Sequence, residues 1–186
     1  ACIVEPVAGA GGVFPPPKGY LQRLRDICDR HGILLIFDEV ISGFGRLGTT
    51  FAYQKFGVKP DLMTVAKGIT NATVPLGGVF TTGGVREAFL SGPPTMPDLF
   101  HGYTYSGHPL ACAAAIATAD LYRDEGIFEN ADAMSGAWED MLHSLADLPG
   151  VIDIRNMGLV GAVQLESDET FGARGRAAFE KLWDAG

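Results

Sequence analysis

"ILLIFDEVISGFGRLG", residues 33–48, decides how the chain is read. Its first five residues are all apolar and rich in β-branched and aromatic types, which suits a strand buried on both faces of a parallel sheet. Its tail, Gly43 to Gly48, fits the G-x-G-x-x-G spacing of a dinucleotide-binding loop. In such a loop the strand runs directly into the first glycine, and the last glycine opens a long helix. Here Asp38 to Ser42 intervene, Arg46 sits inside the motif, and the helix candidate after Gly48, "TTFAYQKFG", stops at Gly57. Asp61 lies near the distance of a ribose-binding acid but starts its strand instead of ending it. The glycines therefore read as a flexible connector, with no specific role for Arg46, and the two acids before them are the candidates for chemistry.

Asp38 ends the strand, and ligands of open α/β sheets sit beyond the carboxyl ends of strands. A carboxylate placed there needs a cation or hydrogen-bond donors. An acid solvated at a strand end, or one capping the next helix, fits the same pattern. Asp38 with Glu39 also suits Mg²⁺, although no third acid or histidine clusters near them in sequence. Of the five lysines, Lys67 stands apart. It follows the apolar strand "DLMTVA" (61–66), and no charge lies near it in "GITNATVPLGG". A lysine among apolar groups has a lowered pKa and can attack a carbonyl as the neutral amine, or it can snorkel to water. If the two strands share a sheet, Asp38 and Lys67 face one crevice. A lysine and an acid converging in this way suit pyridoxal phosphate: the lysine forms the Schiff base and the acid pairs with the pyridinium nitrogen. "HGYTYSGHP" (101–109) offers Tyr103, Thr104, Tyr105 and Ser106 before an Ala-rich helix, either as phosphate anchors or as N-caps. His101 and His108 read as packing groups.

Composition narrows the class. The chain has 186 residues, 47% hydrophobic and 19% charged, so it can build a packed core. A net charge of -8 argues against a nucleic-acid or anionic-membrane surface. No apolar run reaches membrane-spanning length. Cys2, Cys28 and Cys112 are odd in number and far apart, which suits a reducing compartment, the cytoplasm. The chain opens inside "ACIVEP", an apolar strand, and closes in a helical pattern, so it reads as a fragment of a longer protein.

Along the chain, a strand at "ACIVEP" leads into a Gly- and Pro-rich loop, 7–17, and a helix over 18–31. Strands follow at 33–37, 61–66 and 76–82, then a short helix at 84–90 and a loop marked by Pro93, Pro94 and Pro97. Helices are expected over 109–123 and 127–148, two period-two strands in "VIDIR" and "LVGAVQLE", and a final helix from 174. This alternation is α/β, with a mainly parallel sheet and the start of a smaller α+β unit.

At this point the chain resembles the class III, or omega, pyridoxal-phosphate aminotransferases. The resemblance rests on "VEPVAGAGGV…PPPKGYLQRLRDICDRHGILLIFDEVISGFGRLG", "PDLMTVAKGITN…PLGGV" and "HGYTYSGHPLACAAA", in the family's order and with the family's 29-residue separation of Asp38 and Lys67. It implies a fold type I large domain through residue 135 and a small C-terminal domain from 136. It also implies Lys67 as Schiff-base lysine and proton shuttle, Asp38 as pyridinium partner, and Val40 against the ring. Thr104, with Tyr103 beside it, would reach the cofactor phosphate of the neighbouring subunit, so a homodimer with a shared site is expected. Glu5 matches the first acid of a family motif and reads as structural support. Ala10 stands where ornithine- and γ-aminobutyrate-type members carry a second Glu, which leans toward ω-amino acids such as β-alanine as donors and pyruvate as acceptor. A same-fold aminomutase, racemase or decarboxylase shares these residues, and a non-catalytic module is the third reading. The main phosphate loop, the ring-stacking aromatic and the substrate arginine belong to family segments outside these residues, so the piece alone is expected to be inactive.

Overall fold

Each short apolar run becomes a strand. The computed structural model describes residues 1–96, 99–170 and 172–186; Pro97, one of the loop-marking prolines, lies outside the described residues. Strands β1 (Cys2–Val4), β2 (Leu35–Asp38), β3 (Leu62–Val65) and β4 (Gly78–Thr81) form one sheet in that order. β1, β2 and β3 are parallel, and β4 is antiparallel to β3. A parallel crossover needs a dozen or more residues, usually with a helix. The β3–β4 link contains only a single 3-10 turn, Lys67–Ile69, so the chain turns back on itself.

Helix α1 (Tyr20–His31) places Leu21 and Cys28 on the face that packs against Leu35 and Phe37 of β2, with Val58 completing this core. Gly32, left-handed at φ 62°, ends the helix. Arg25 of α1 pairs with Asp61 at 2.8 Å, and the same carboxylate accepts the Leu35 N–H at 2.7 Å. Helix, strand and the start of β3 are thus tied at one carboxylate. Burial alone would raise the Asp61 carboxyl, but the Leu35 N–H and the Arg25 guanidinium outweigh it and hold its pKa below the ordinary value.

The expectation of burial on both faces is corrected. Leu35 and Phe37 are buried, whereas Ile36 and Asp38, on the other face, are only partly so. Helix α1 covers one face of β2, and among the described residues the other is left half-open.

A short α2 (Ala52–Phe56) and α3 (Gly83–Leu90) flank this sheet, followed by α4 (Pro109–Asp124) and α5 (Ile127–His143). α5 ends five residues before the expected Leu148. From Leu145 the bonds tighten to three-residue spacing, as from Leu145 N–H to Leu142 O, and Pro149 follows. The position 135/136 lies inside α5. A hairpin of β5 (Val151–Met157) and β6 (Val160–Leu165) packs on the end of α5, and α6 (Ala173–Ala185) follows.

A second core joins the hairpin to the sheet's loops. Val7, Val13, Leu47 and Ala52 are buried together, with Met157, Val160 and Ala162 against them. Arg155 of β5 donates to the Gly12 carbonyl at 2.9 Å and to Gln164 Oε1 at 2.8 Å, pairs with Asp153, and lies 4.5 Å from the Phe14 ring centre.

Candidate active site

The topology puts Asp38 and Lys67 at the same end of the sheet. β2 and β3 are hydrogen-bonded parallel neighbours with Asp38 opposite Thr64, and Lys67 follows three residues later. Asp38 therefore lies at the carboxyl end of β2 and Lys67 just beyond that of β3, two central strands that neighbour each other at about 4.8 Å. Asp38 Oδ1 accepts the Val40 N–H at 3.0 Å, a local turn that fixes both residues. The Thr64 hydroxyl, in register with Asp38 on the same face, is buried without a hydrogen-bond partner.

Glu39, next in sequence, faces the opposite way and is fully buried. Its carboxylate accepts Ser42 Oγ–H at 3.0 Å, Ala52 N–H at 2.7 Å and Tyr53 N–H at 3.0 Å. It therefore caps the first turn of α2. Burial pushes the Glu39 carboxyl above its ordinary range, against the three donors, which favour the charged form. The two acids are divided by the strand's alternation: Glu39 is a buried cap, and Asp38 is half-buried with a single local bond to Val40 N–H. Among the described residues, no group of three or more His, Cys, Asp or Glu could hold a metal ion.

The "GFGRLG" loop is not a loose connector. A Cβ at Gly45 (φ 87°) would stand 2.7 Å from the Phe128 ring, and one at Gly48 (φ 85°) would meet the Asp132 carboxylate. These glycines let the loop lie against α5. Leu47 is fully buried, and the Arg46 carbonyl accepts the Leu159 N–H at 2.9 Å, which gives Arg46 a structural place through its backbone.

Lys67 is exposed, not enclosed in apolar side chains as expected. The strand stops at Val65, and the 3-10 turn carries the lysine out of the sheet. Its backbone is left-handed at φ 49°. For a side chain of this size such a conformation costs on the order of 1–3 kcal/mol and persists only where its surroundings hold it. The next residue shows how it is held. The Tyr122 hydroxyl, from α4, donates to the Gly68 carbonyl at 2.7 Å and lies 2.9 Å from the Asn71 side-chain amide. A Cβ at Gly68 would stand 2.6 Å from Phe44 Cβ. Sequence reading missed Tyr122; its one signal is a lone tyrosine on the helix that "SGHP" introduces.

Tyr103 and Thr104 lie in an exposed loop before α4. Tyr103 N–H donates to His101 Nδ1 at 2.8 Å, and Tyr103 itself is left-handed at φ 51°. Neither Thr104 nor Ser106 caps α4. The N-cap is His108 without a side-chain bond, and Pro109, lacking an N–H, occupies the first turn. Glu5 accepts the Gly9 N–H at 2.9 Å, which orders the loop after β1.

A half-buried carboxylate, an orphaned hydroxyl beside it and an exposed lysine on adjacent strand ends fit a ligand that brings its own polar groups. The family described as Aminotransferase class-III matches residues 1–186. The chain belongs to this family. It is 54% identical over its full length to an omega-aminotransferase of Caulobacter vibrioides and 48% identical to a beta-alanine–pyruvate aminotransferase of Pseudomonas aeruginosa. It spans 43% and 42% of those relatives' lengths, less than half. Among solved structures, it aligns at TM-score 0.90 and 36% identity with a taurine:2-oxoglutarate aminotransferase from Bifidobacterium kashiwanohense, in complex with PLP and glutamate, over 98% of this chain and 42% of that one. An (S)-enantioselective omega-transaminase from Thermomicrobium roseum aligns at TM-score 0.83 and 45% identity, over 90% and 37%. The fold expectation is met: the class III chain is α/β with a mainly parallel sheet. Among the described residues, no helix is long and apolar enough to cross a membrane.

Proposed function

We propose that this class III chain carries the lysine and the acid of a pyridoxal-phosphate-dependent transaminase that moves an amino group from an ω-amino acid or amine to a keto acid such as pyruvate. The observation that carries the reading is the placement of Asp38 and Lys67 at the ends of neighbouring parallel strands. When bound, pyridoxal phosphate supplies an aldehyde for the lysine and a ring that takes up the electron pair released at the substrate carbon. Asp38 would hold a positive charge on the ring nitrogen. Val40, fixed by its bond to Asp38, would pack on the ring. Lys67 would carry the cofactor and then move the proton at the substrate's reacting carbon.

The exposed loop with Tyr103 and Thr104, beside the exposed Phe100, Tyr105 and Leu110, supports a homodimer in which Thr104 reaches the partner's phosphate. The choice of ω-amino acid and pyruvate rests on Ala10 and on the names of the two bacterial relatives, an omega-aminotransferase and a beta-alanine–pyruvate aminotransferase. The division into a large domain through 135 and a small one from 136 follows the family pattern.

The test is borohydride reduction of the full-length protein with pyridoxal phosphate, followed by peptide mapping. The pyridoxyl group is expected on Lys67, with stoichiometric use of a keto acid in turnover. A label elsewhere overturns the site, and turnover without a keto acid favours an aminomutase, racemase or decarboxylase on the same fold. Lys67→Ala is expected to abolish both label and turnover.

A further inference from the structure

We infer that Tyr122 is a positioning residue for Lys67, acting through the Gly68 carbonyl; the inference rests on the proposed role of that lysine. Lys67 has a left-handed backbone, and so do Asn71 and Ala72 shortly after it. A segment with three such residues does not hold its shape by local preference. Short-range bonds, Ile69 N–H to Ala66 O and Thr70 N–H to Lys67 O, are both long at 3.3 Å. Thr70 Oγ–H to Val74 O at 2.6 Å closes the far side of the segment around Asn71 and Ala72, and the short bond to the peptide next to Lys67 comes from Tyr122, 54 residues away in sequence, at 2.7 Å. The same hydroxyl lies 2.9 Å from Asn71 Oδ1, so its one proton is shared between the Gly68 carbonyl and the Asn71 amide oxygen.

Tyr122 is itself firmly held. Its ring lies 4.8 Å from Phe128 and is stacked 5.9 Å from Phe44, and Phe44 closes over Gly68. Helix α4 therefore sets the peptide that follows the lysine. A rotation of that peptide would swing the base of the Lys67 side chain, and small errors in aim are costly to a reacting group. Tyr122 acts on the Gly68 peptide and not on cofactor or substrate. The phenol sets the geometry from which the amine works.

The experiment compares wild type with Tyr122→Phe in the full-length protein, since this change keeps the ring and removes only the hydroxyl. The first readout is the rate at which apoprotein takes up pyridoxal phosphate on Lys67, followed by absorbance and fixed by borohydride. The second is the split between kcat and KM. Tyr122→Phe is expected to slow uptake and kcat by about 5- to 20-fold, with donor KM within about twofold. Asn71→Gly, which accepts the left-handed backbone, is expected to slow uptake by about two- to threefold. Val58→Ala, in the core beneath β2, is the stability-matched control and is expected to lower Tm with uptake unchanged. If Tyr122→Phe and Asn71→Gly both load Lys67 at the wild-type rate, or if Val58→Ala slows uptake equally, the positioning role is wrong. If wild type leaves no label on Lys67, the cofactor reading fails first and the inference fails with it.

Discussion

Asp38 and Glu39 are chemically alike and adjacent, yet the pleat sends them to opposite faces, and that decides their work. Glu39 is buried and accepts three bonds, two of them from the first turn of α2. Glu39→Ala is expected to remove about 2–4 kcal/mol of stability, because two backbone donors lose their partner in the interior. Glu39→Gln keeps an acceptor and is expected to lose less. The pH dependence has a definite sign. Folding raises the Glu39 pKa above the ordinary 4.5, so its protonated form contributes stability that is full below that value and lost as pH rises through the folded one. The stability gap between wild type and Glu39→Gln in denaturant melts should accordingly narrow from acid to neutral pH. A gap that widened would mean that the charged form is the one favoured by folding.

Among the elements, loops are as firmly specified as strands. The "GFGRLG" loop rests on α5 because its glycines leave no side chain in the way. Gly45→Ala combines a left-handed backbone with a clash against the Phe128 ring and is expected to cost about 2–4 kcal/mol. Gly19→Ala has the same backbone sign, φ 80°, but open space around its Cβ, and is expected to cost only about 1 kcal/mol. Equal losses in chemical denaturation would show that the loop yields and that only backbone strain matters. Asp61 joins α1, β2 and β3 at one carboxylate. Its lowered pKa means that its contribution is present above the ordinary 3.8 and fades as pH falls through the folded value. Asp61→Asn should cost about 2 kcal/mol at pH 7, and the difference from wild type should shrink in melts toward pH 3.

At the scale of the molecule, the hairpin of β5 and β6 is held to the sheet's loops by a shared apolar core and by Arg155. This guanidinium reaches the Gly12 carbonyl across 143 positions of sequence. Arg155→Met keeps the stem against Phe14 but loses every donor. It is expected to open the Gly9–Gly12 loop to limited proteolysis several-fold faster and to destabilise by about 1–3 kcal/mol. Unchanged cleavage would assign the docking to the apolar core alone.

The apolar runs, helical spacings and glycine stops by themselves determined where the strands and helices lie, because local hydrogen bonding and burial period are properties of short segments. Asp38 and Lys67 were legible for a related reason: a charged residue ending an apolar strand is conspicuous in one dimension. The tertiary structure decided the rest. It turned β4 antiparallel, since the link from β3 carries a 3-10 turn and no crossover helix, and it ended α5 early, before Pro149. It converted a supposed flexible connector into a packed joint, because close approach to α5 cannot be seen from the loop alone. It left Lys67 exposed and gave its turn to Tyr122, a contact between residues 54 apart that no spacing rule encodes. Patterns of nearest neighbours specify elements; which distant side chain meets which backbone carbonyl depends on how those elements pack, and that is a property of the whole fold.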